Sequence, residues 1–266
     1  MMADRPATQD QDGIGLGTRG SVNLMTRDLA EAQRFYGAVM GWTFRDGRLG
    51  QEFCVAQRPD GSPAAVIGAI ASTLQVAVAW TPFFAVYDLD EVVARVRERS
   101  GTVAVGPLRL PYGRAALGAD RDGAVFGMWQ DDGVPGRISG RSPRAWLRLR
   151  TRDAFEAAIF YGEVFGWGND RPGAPEVHYE QEEVVVRTEG QQLARISSGA
   201  VEAAPDPMVR PMWRVHFPVD DLEAALRTTT EYGGRLVDVH DSPQGREAML
   251  RDPDGALFTV TELPQR

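Results

Sequence analysis

The chain of 266 residues has no lysine and only one cysteine, Cys54. A single cysteine excludes an intrachain disulfide and any cysteine-based zinc site. Cys54 sits in a strand-like apolar run, so we interpret it as a packing residue. No apolar run approaches the length of a membrane span, and the N-terminus shows no apolar signal segment. We therefore expect a cytoplasmic protein.

The charge balance is acidic, with a formal net charge of -8. Nucleic-acid binders and proteins of anionic membranes need a basic surface, so neither partner is expected. Every basic residue is arginine, which keeps its charge when buried and binds oxyanions with a planar fork. A hydrophobic content of 43% in a chain of this length predicts two domains, each with its own core.

One local pattern occurs four times along the chain. A strand-like run leads into an aspartate, and a glutamate follows three residues later at the start of a helical apolar period. Such a pair is typical of a capping box that begins a helix. The predicted pairs are Asp28 with Glu31, Asp88 with Glu91, Asp153 with Glu156, and Asp220 with Glu223.

The first and third helices are copies of each other at a separation of 125 residues, so that Tyr36 corresponds to Tyr161. Both helix patterns end in glycine followed by tryptophan, and both halves close with a D-x-D-G turn before a last strand. We interpret the chain as a tandem repeat. The predicted divisions are a loose tail at 1–20, a first module at 21–131, a linker at 132–144 and a second module at 145–263.

The repeated motifs resemble those of the vicinal oxygen chelate superfamily, which includes glyoxalase I, bleomycin-resistance proteins and extradiol dioxygenases. The motifs are D-x-x-x-A-x-x-F-Y-x-x-x-x-G-W at 28–42 and 153–167, V-D-D-L-E at 219–223, and D-P-D-G at 252–255. The resemblance implies an α+β fold in which each module pairs two βαβββ units into a curved, largely antiparallel sheet around a cleft. Within the superfamily, the chain is most similar to the tandem glyoxalase-like proteins.

The resemblance also indicates where the metal enzymes of the superfamily carry their ligands. The corresponding positions are Ser21 or Asn23, Thr81 and Gly127 in the first module, and Trp146 or Arg148, Arg214 and Thr259 in the second. None of these side chains is a good ligand for a divalent cation, which prefers carboxylate and imidazole groups. We therefore predict no metal and no other cofactor.

Two strand-like runs of the second module alternate polar and apolar residues, as in a sheet with one open face. Their polar phases converge on one cleft in the superfamily, and we predict Arg148, Arg214 and His216 as its catalytic or binding centre. The further candidate binding residues are Trp146, Arg150, Thr259, Glu247, Asn23 and Phe83. Glu247 is the candidate counter-ion for the arginines. His178 and His240 lie in turn-like sequence and are assigned no role.

In the first module, the same alternation predicts an uncharged cleft lining of small, apolar or neutral residues. These are Ser21, Asn23, Met25, Thr81, Phe83, Ala85, Val125 and Gly127. Such a lining suits a hydrophobic group or a packed pseudo-site. We therefore expect the principal site in the second module.

Three hypotheses for function follow. The first is binding of a small aromatic or amphipathic molecule with an anionic or carbonyl oxygen, in natural-product resistance or biosynthesis. The second is a metal-free isomerase, lyase or cyclase that uses His216 as acid or base and the two arginines to stabilise an oxyanion. The third is a scaffold module with a vestigial cleft. The sequence does not decide between a monomer and a homodimer.

Overall fold

The structure, a computed structural model, describes residues 20–132, 145–170, 173–188, 190–206, 209–242 and 245–262. The predicted tail and linker lie outside the described residues, apart from Gly20 and Asp132 at their edges. None of the helices in these ranges is long and apolar enough to cross a membrane.

The first half of the chain contains eight strands and three helices within its described part. They are β1 (Gly20–Met25), α1 (Leu29–Met40), β2 (Thr43–Asp46), β3 (Phe53–Gln57), β4 (Pro63–Gly68), α2 (Ala71–Leu74), β5 (Ala79–Ala85), α3 (Leu89–Glu98), β6 (Thr102–Leu110), β7 (Gly113–Ala119) and β8 (Val125–Asp131).

The second half repeats this order without a counterpart of α2 among its described elements. They are β9 (Trp146–Arg150), α4 (Ala154–Phe165), β10 (Glu176–Glu180), β11 (Glu183–Thr188), β12 (Gln191–Ser197), β13 (Met212–Val219), α5 (Leu222–Glu231), β14 (Arg235–Ser242), β15 (Gly245–Arg251) and β16 (Leu257–Glu262).

Each half forms one eight-stranded mixed sheet with the same strand order. The first is β2-β3-β4-β1-β5-β8-β7-β6, and the second is β10-β11-β12-β9-β13-β16-β15-β14. In both sheets the first strands of the two βαβββ units pair antiparallel at the centre, β1 with β5 and β9 with β13. The predicted α+β fold with two modules in tandem is confirmed.

Three of the four predicted helix caps are confirmed. They are Asp28, Asp88 and Asp153, whose side chains accept hydrogen bonds from the backbone N–H three residues later. The fourth prediction, Asp220 with Glu223, is wrong by one residue. The helix begins at Leu222, and Asp221 is its cap, accepting from the backbone N–H of Ala224. The residue directly before the first helical position is the one placed to cap, which two adjacent aspartates leave undecided in the sequence.

The cores of the two modules face each other. Along β9, Leu147 and Leu149 point into the core, whereas the residues between them lie on the opposite face. Aromatic side chains extend this core from one sheet to the other: Phe84 of β5 packs against Trp213 of β13, with ring centroids 5.7 Å apart. Each sheet therefore turns its second face away from the partner module, and these outward faces are where the resemblance predicts the two clefts.

A buried hydrogen-bonded chain joins the modules at α1. The Tyr36 hydroxyl donates to the Asp252 carboxylate at 2.9 Å and accepts from the Trp80 indole N–H at 2.8 Å. Asp252 belongs to the D-P-D-G turn of the second module, where its other oxygen accepts the backbone N–H groups of Gly255 and Ala256. Burial is the main cause that raises the pKa of Tyr36 well above its ordinary value.

The equivalent hydrogen bonds of the second module are made by Tyr161 of α4. Tyr161 donates to Asp120 at 2.9 Å and accepts from Trp213 at 2.8 Å. The second aspartate of each turn also pairs with an arginine of the other module. Asp122 accepts a hydrogen bond from Arg152 of the second module, and Asp254 accepts one from Arg27 of the first. The D-x-D-G turns are therefore the polar contacts by which each module holds the other.

Replacing Tyr36 with phenylalanine tests this contact. The change leaves the Trp80 N–H and one Asp252 oxygen without their partner in a buried place, which we expect to lower the free energy of unfolding by about 2 kcal/mol. Tyr161→Phe should cost a similar amount. Urea unfolding measures both, and Tyr179→Phe, whose residue is 61% exposed, serves as the control. A loss below about 0.5 kcal/mol in both variants would contradict the proposed role.

Candidate binding and catalytic site

The outward face of the second sheet is polar at its centre. Arg148 of β9 lies directly opposite Arg214 of β13, and Trp146 lies opposite His216 in the same pairing. All four alternate with core residues, so they share the outward face. The structure thus brings together the three residues predicted as the centre and Trp146, which was predicted as a binding residue.

His216 is buried at the floor of this face, with 2% of its surface exposed. Its ring stacks on Trp146, with centroids 5.5 Å apart and planes at 21°. Burial first, and then the charges of Arg148 and Arg214, lower the pKa of His216 to about 3. The imidazole is therefore neutral at physiological pH, as expected from its arginine neighbours.

Glu247 of β15 is fully buried beside His216. One carboxylate oxygen accepts from Ser242 at 2.7 Å, and the other lies 3.5 Å from His216 Nδ1 and 3.8 Å from the Arg148 guanidinium. The predicted counter-ion is thus adjacent to Arg148, although their contact is longer than a hydrogen bond. Thr259 of β16 lies opposite His216 and is likewise buried.

The arginines on this face differ in their surroundings. Burial is the main cause that lowers the pKa of Arg214, followed by the charges of Arg150 and Arg148. Arg150 turns to the end of its strand, where it donates to the backbone carbonyl of Gly199 at 2.9 Å. Arg150 thus adds positive potential, while Arg148 and Arg214 occupy the centre.

Three further residues of this face, Arg195, Glu183 and His240, are not marked by any pattern in the sequence. Arg195 of β12 lies beside Arg148 in the parallel pairing and forms an ion pair with Glu183 of β11. His240 of β14 lies opposite Glu247, with its Nε2 at 3.6 Å from the same oxygen that faces His216. Since β14 is exposed along most of its length, its sequence does not alternate polar with apolar residues in a way that would mark His240. Only the strand order places it here.

The first module presents a different outward face, which is apolar around Phe83. Phe83 covers Gly127, where an added Cβ would lie 2.4 Å from its ring. Around it packs an apolar cluster that includes Met25, Leu117 and Ala71 of the short helix α2. Asn23, which accepts a hydrogen bond from Ser21, also lies on this face. Asn23 and Phe83, predicted as binding residues, are therefore separated from the other candidates by both sheets.

Comparisons with known proteins identify relatives of both sequence and fold. Residues 146–261 match the family described as a glyoxalase-like domain. The anthracycline biosynthesis protein DauV of Streptomyces sp. strain C5 is 33% identical over 197 residues, which cover 69% of this chain and 66% of that protein. CFP32 of Mycobacterium bovis is 28% identical over 268 residues, covering 94% of this chain and 97% of its own.

Among solved structures, a Mn(II)-bound glyoxalase from Novosphingobium aromaticivorans has a TM-score of 0.55 at 16% identity, over 93% of this chain and 82% of its own. That likeness concerns the fold alone. Together with the sheet topology, these findings define a two-module protein of paired βαβββ units. The chain has the tandem two-module fold of glyoxalase-like proteins, and its second module matches a glyoxalase-like domain.

The residues at the superfamily's ligand positions do not fit a divalent cation. Arg148 and Arg214 offer positive N–H donors and no lone pair, and the described residues contain no cluster of three acidic, histidine or cysteine side chains placed to hold a metal. His216 and His240 each place a ring nitrogen within 3.6 Å of one Glu247 oxygen. The Arg148 guanidinium lies 3.8 Å from the same Glu247 oxygen, and its charge opposes a cation there.

The depressed pKa of His216 predicts a pH-dependent stability. The unfolded chain takes up a proton near pH 6.5 and the folded chain only near pH 3, so this contribution is present above pH 6.5 and is lost as the pH falls. At pH 5 the loss should be about 2 kcal/mol relative to pH 8. Urea unfolding at both pH values should show this loss diminished in His216→Gln.

The variant His178→Gln provides the matched control, because His178 is an exposed histidine of β10 in the same module. Other titrating groups, including the buried Asp120 and Asp252 whose pKa values burial raises, are common to all three proteins and cancel in the comparison. Equal pH dependence in wild type and His216→Gln would contradict a neutral buried His216.

Proposed function

We propose that the second module binds, without a metal, a planar aromatic small molecule that carries a carbonyl or anionic oxygen. The observation that carries this proposal is the position of the Arg148 guanidinium on the outward face of the second sheet, opposite Arg214. It lies 3.9 Å from Glu183 and 3.8 Å from Glu247, so neither contact is short enough for a hydrogen bond. Its N–H groups can therefore donate to a ligand oxygen.

The cleft also offers an apolar surface for a flat ring system. Trp146 is half-buried and held in place by its stacking on His216, and Met249 of β15 is buried on the same face beside Thr259. Aromatic side chains favour offset stacking with other rings. A ligand ring against Trp146, with its oxygen toward Arg148, would satisfy both features.

The relatives support the same class of ligand. The Streptomyces protein named for anthracycline biosynthesis matches 69% of this chain. Anthracyclines are, as a class of compound, planar polycyclic molecules with phenol and carbonyl oxygens. We place the protein in the biosynthesis of, or resistance to, an aromatic natural product. The poor fit of the arginine-bearing positions to a cation supports binding without a metal.

Anthraquinone-2-sulfonate is a soluble probe of this chemistry, being planar, anionic and equipped with carbonyl oxygens. We expect Arg148→Ala and Arg214→Ala each to weaken its affinity about tenfold, because each removes a charged hydrogen-bond donor worth about 1.5 kcal/mol or more. Isothermal titration calorimetry on proteins shown to be folded measures the effect. Unchanged affinity in both variants would place the ligand elsewhere.

Two controls accompany this measurement. Arg246→Ala removes an exposed arginine of β15 that pairs with Glu223 on the surface, and it should leave probe binding unchanged. Dialysis against EDTA should also leave the affinity unchanged. Binding that is lost with EDTA and restored by Mn²⁺ would contradict the metal-independent proposal.

A second candidate function is a metal-free proton transfer at the same site. The observation that favours it is a neutral imidazole buried between two arginines, with a carboxylate 3.5 Å from its Nδ1. With a pKa of about 3, His216 is a weak base until an anion is bound. A ligand oxyanion between Arg148 and Arg214 would offset their charge and raise that pKa, so the imidazole could accept a proton from an enolisable carbon.

Turnover separates the two candidates. In an enzyme, His216→Ala should lower the rate with an enolisable aromatic ketone by about a hundredfold or more, the usual contribution of general acid–base catalysis. Probe binding should survive, and His178→Ala should retain the rate. Product analysis by mass spectrometry would detect the reaction. Tight binding of the ketone with no product would select the binding protein.

A further inference from the structure

The floor of the second cleft contains an unusual group of buried polar atoms on three neighbouring strands. Both ring nitrogens of His216, one oxygen of Glu247 and the hydroxyls of Thr259 and Thr261 have no hydrogen-bond partner within the described part of the chain. All four residues are nearly or fully buried. Burying such atoms without partners is unfavourable, so the group indicates a polar occupant.

The chemistry of these atoms limits the occupant. A carboxylate oxygen only accepts hydrogen bonds, whereas the N–H groups of Arg148 only donate them. A ligand that pairs with both residues must donate a hydrogen bond to Glu247 and accept one from Arg148. A carboxylate or sulfonate group accepts hydrogen bonds from Arg148, but Glu247 would repel it.

The atoms of Glu247 and Arg148 that the ligand must contact lie close together. The free Glu247 oxygen and the Arg148 Nη1 atom are 3.8 Å apart. Hydrogen bonds of about 2.8 Å to each place the donor and the acceptor of the ligand next to one another. A hydroxyl beside a carbonyl, as in a phenol or enol flanking a ketone, has this arrangement.

We propose that Glu247 is a specificity residue that selects ligands with a protonated hydroxyl next to the oxygen bound by Arg148. The inference rests on the proposed binding function and narrows it to hydroxy-carbonyl compounds. Within such a ligand, the hydroxyl donates to Glu247 and the carbonyl accepts from Arg148. Either Thr259 or Thr261 can hydrogen-bond the same oxygens because a hydroxyl both donates and accepts.

Two probes of equal ring size test this selection. One is 1,4-dihydroxyanthraquinone-2-sulfonate, which carries hydroxyls beside its carbonyls, and the other is anthraquinone-2-sulfonate, which has none. By calorimetry at pH 7 with EDTA, we expect wild type to prefer the hydroxylated probe about tenfold, as for a hydrogen bond to a charged group. Glu247→Gln should bring the preference below about threefold.

The pattern across both probes distinguishes selection from a structural effect. Glu247→Gln removes a negative charge, so anthraquinone-2-sulfonate should bind as well as before or better. A variant that merely damages the cleft would weaken both probes alike, and this result would overturn the proposal. Glu223→Gln is the control: it removes an exposed carboxylate of α5 that pairs with Arg246 on the surface, and it should keep the tenfold preference.

Two further results are decisive. Equal affinity of wild type for both probes would overturn the role of Glu247 and leave the proposed binding function standing. Failure of both probes to bind would overturn the binding function and the selection together.

Discussion

Two buried tyrosine hydroxyls determine how the sheets are placed. Tyr36 and Tyr161 each link an indole N–H of their own module to a carboxylate of the other. A buried carboxylate is costly unless it is hydrogen-bonded, and most of the partners it needs come from its own turn. The last partner comes from the helix of the neighbouring module. The relative position of the sheets is thereby fixed, and with it the direction in which both outward faces point.

On this symmetric frame the two outward faces have diverged at matching positions. Where β5 carries Phe83, β13 carries His216, and where β8 carries Gly127, β16 carries Thr259. In the first module the phenylalanine lies over the glycine and completes an apolar cluster. In the second module the matching positions carry an imidazole and a hydroxyl, and Trp146 stacks on the imidazole. These two exchanges make the centre of one outward face apolar and that of the other polar.

The sequence was sufficient for what depends on local pattern. Alternation correctly placed Arg148, Arg214 and His216 on one face, and repetition predicted both sheets. The sequence did not decide which of two adjacent aspartates, Asp220 or Asp221, caps the helix. It also did not reveal contacts that depend only on the order of strands in the sheet. His240 meets Glu247 because β14 pairs with β15. The D-x-D-G turns looked like local turn signals, and their role between modules depends on contacts more than 200 residues apart for Asp252.

The reciprocal turns have a consequence for the history and handling of the chain. Neither module contains all the partners of its own buried groups, because the turn of each is completed by the helix of the other. A gene cut at the linker would yield two fragments that need each other to be complete, and they would have to be produced together. The repeated strand order and the reciprocal contacts are those expected of a duplicated module that pairs with its own copy within one chain.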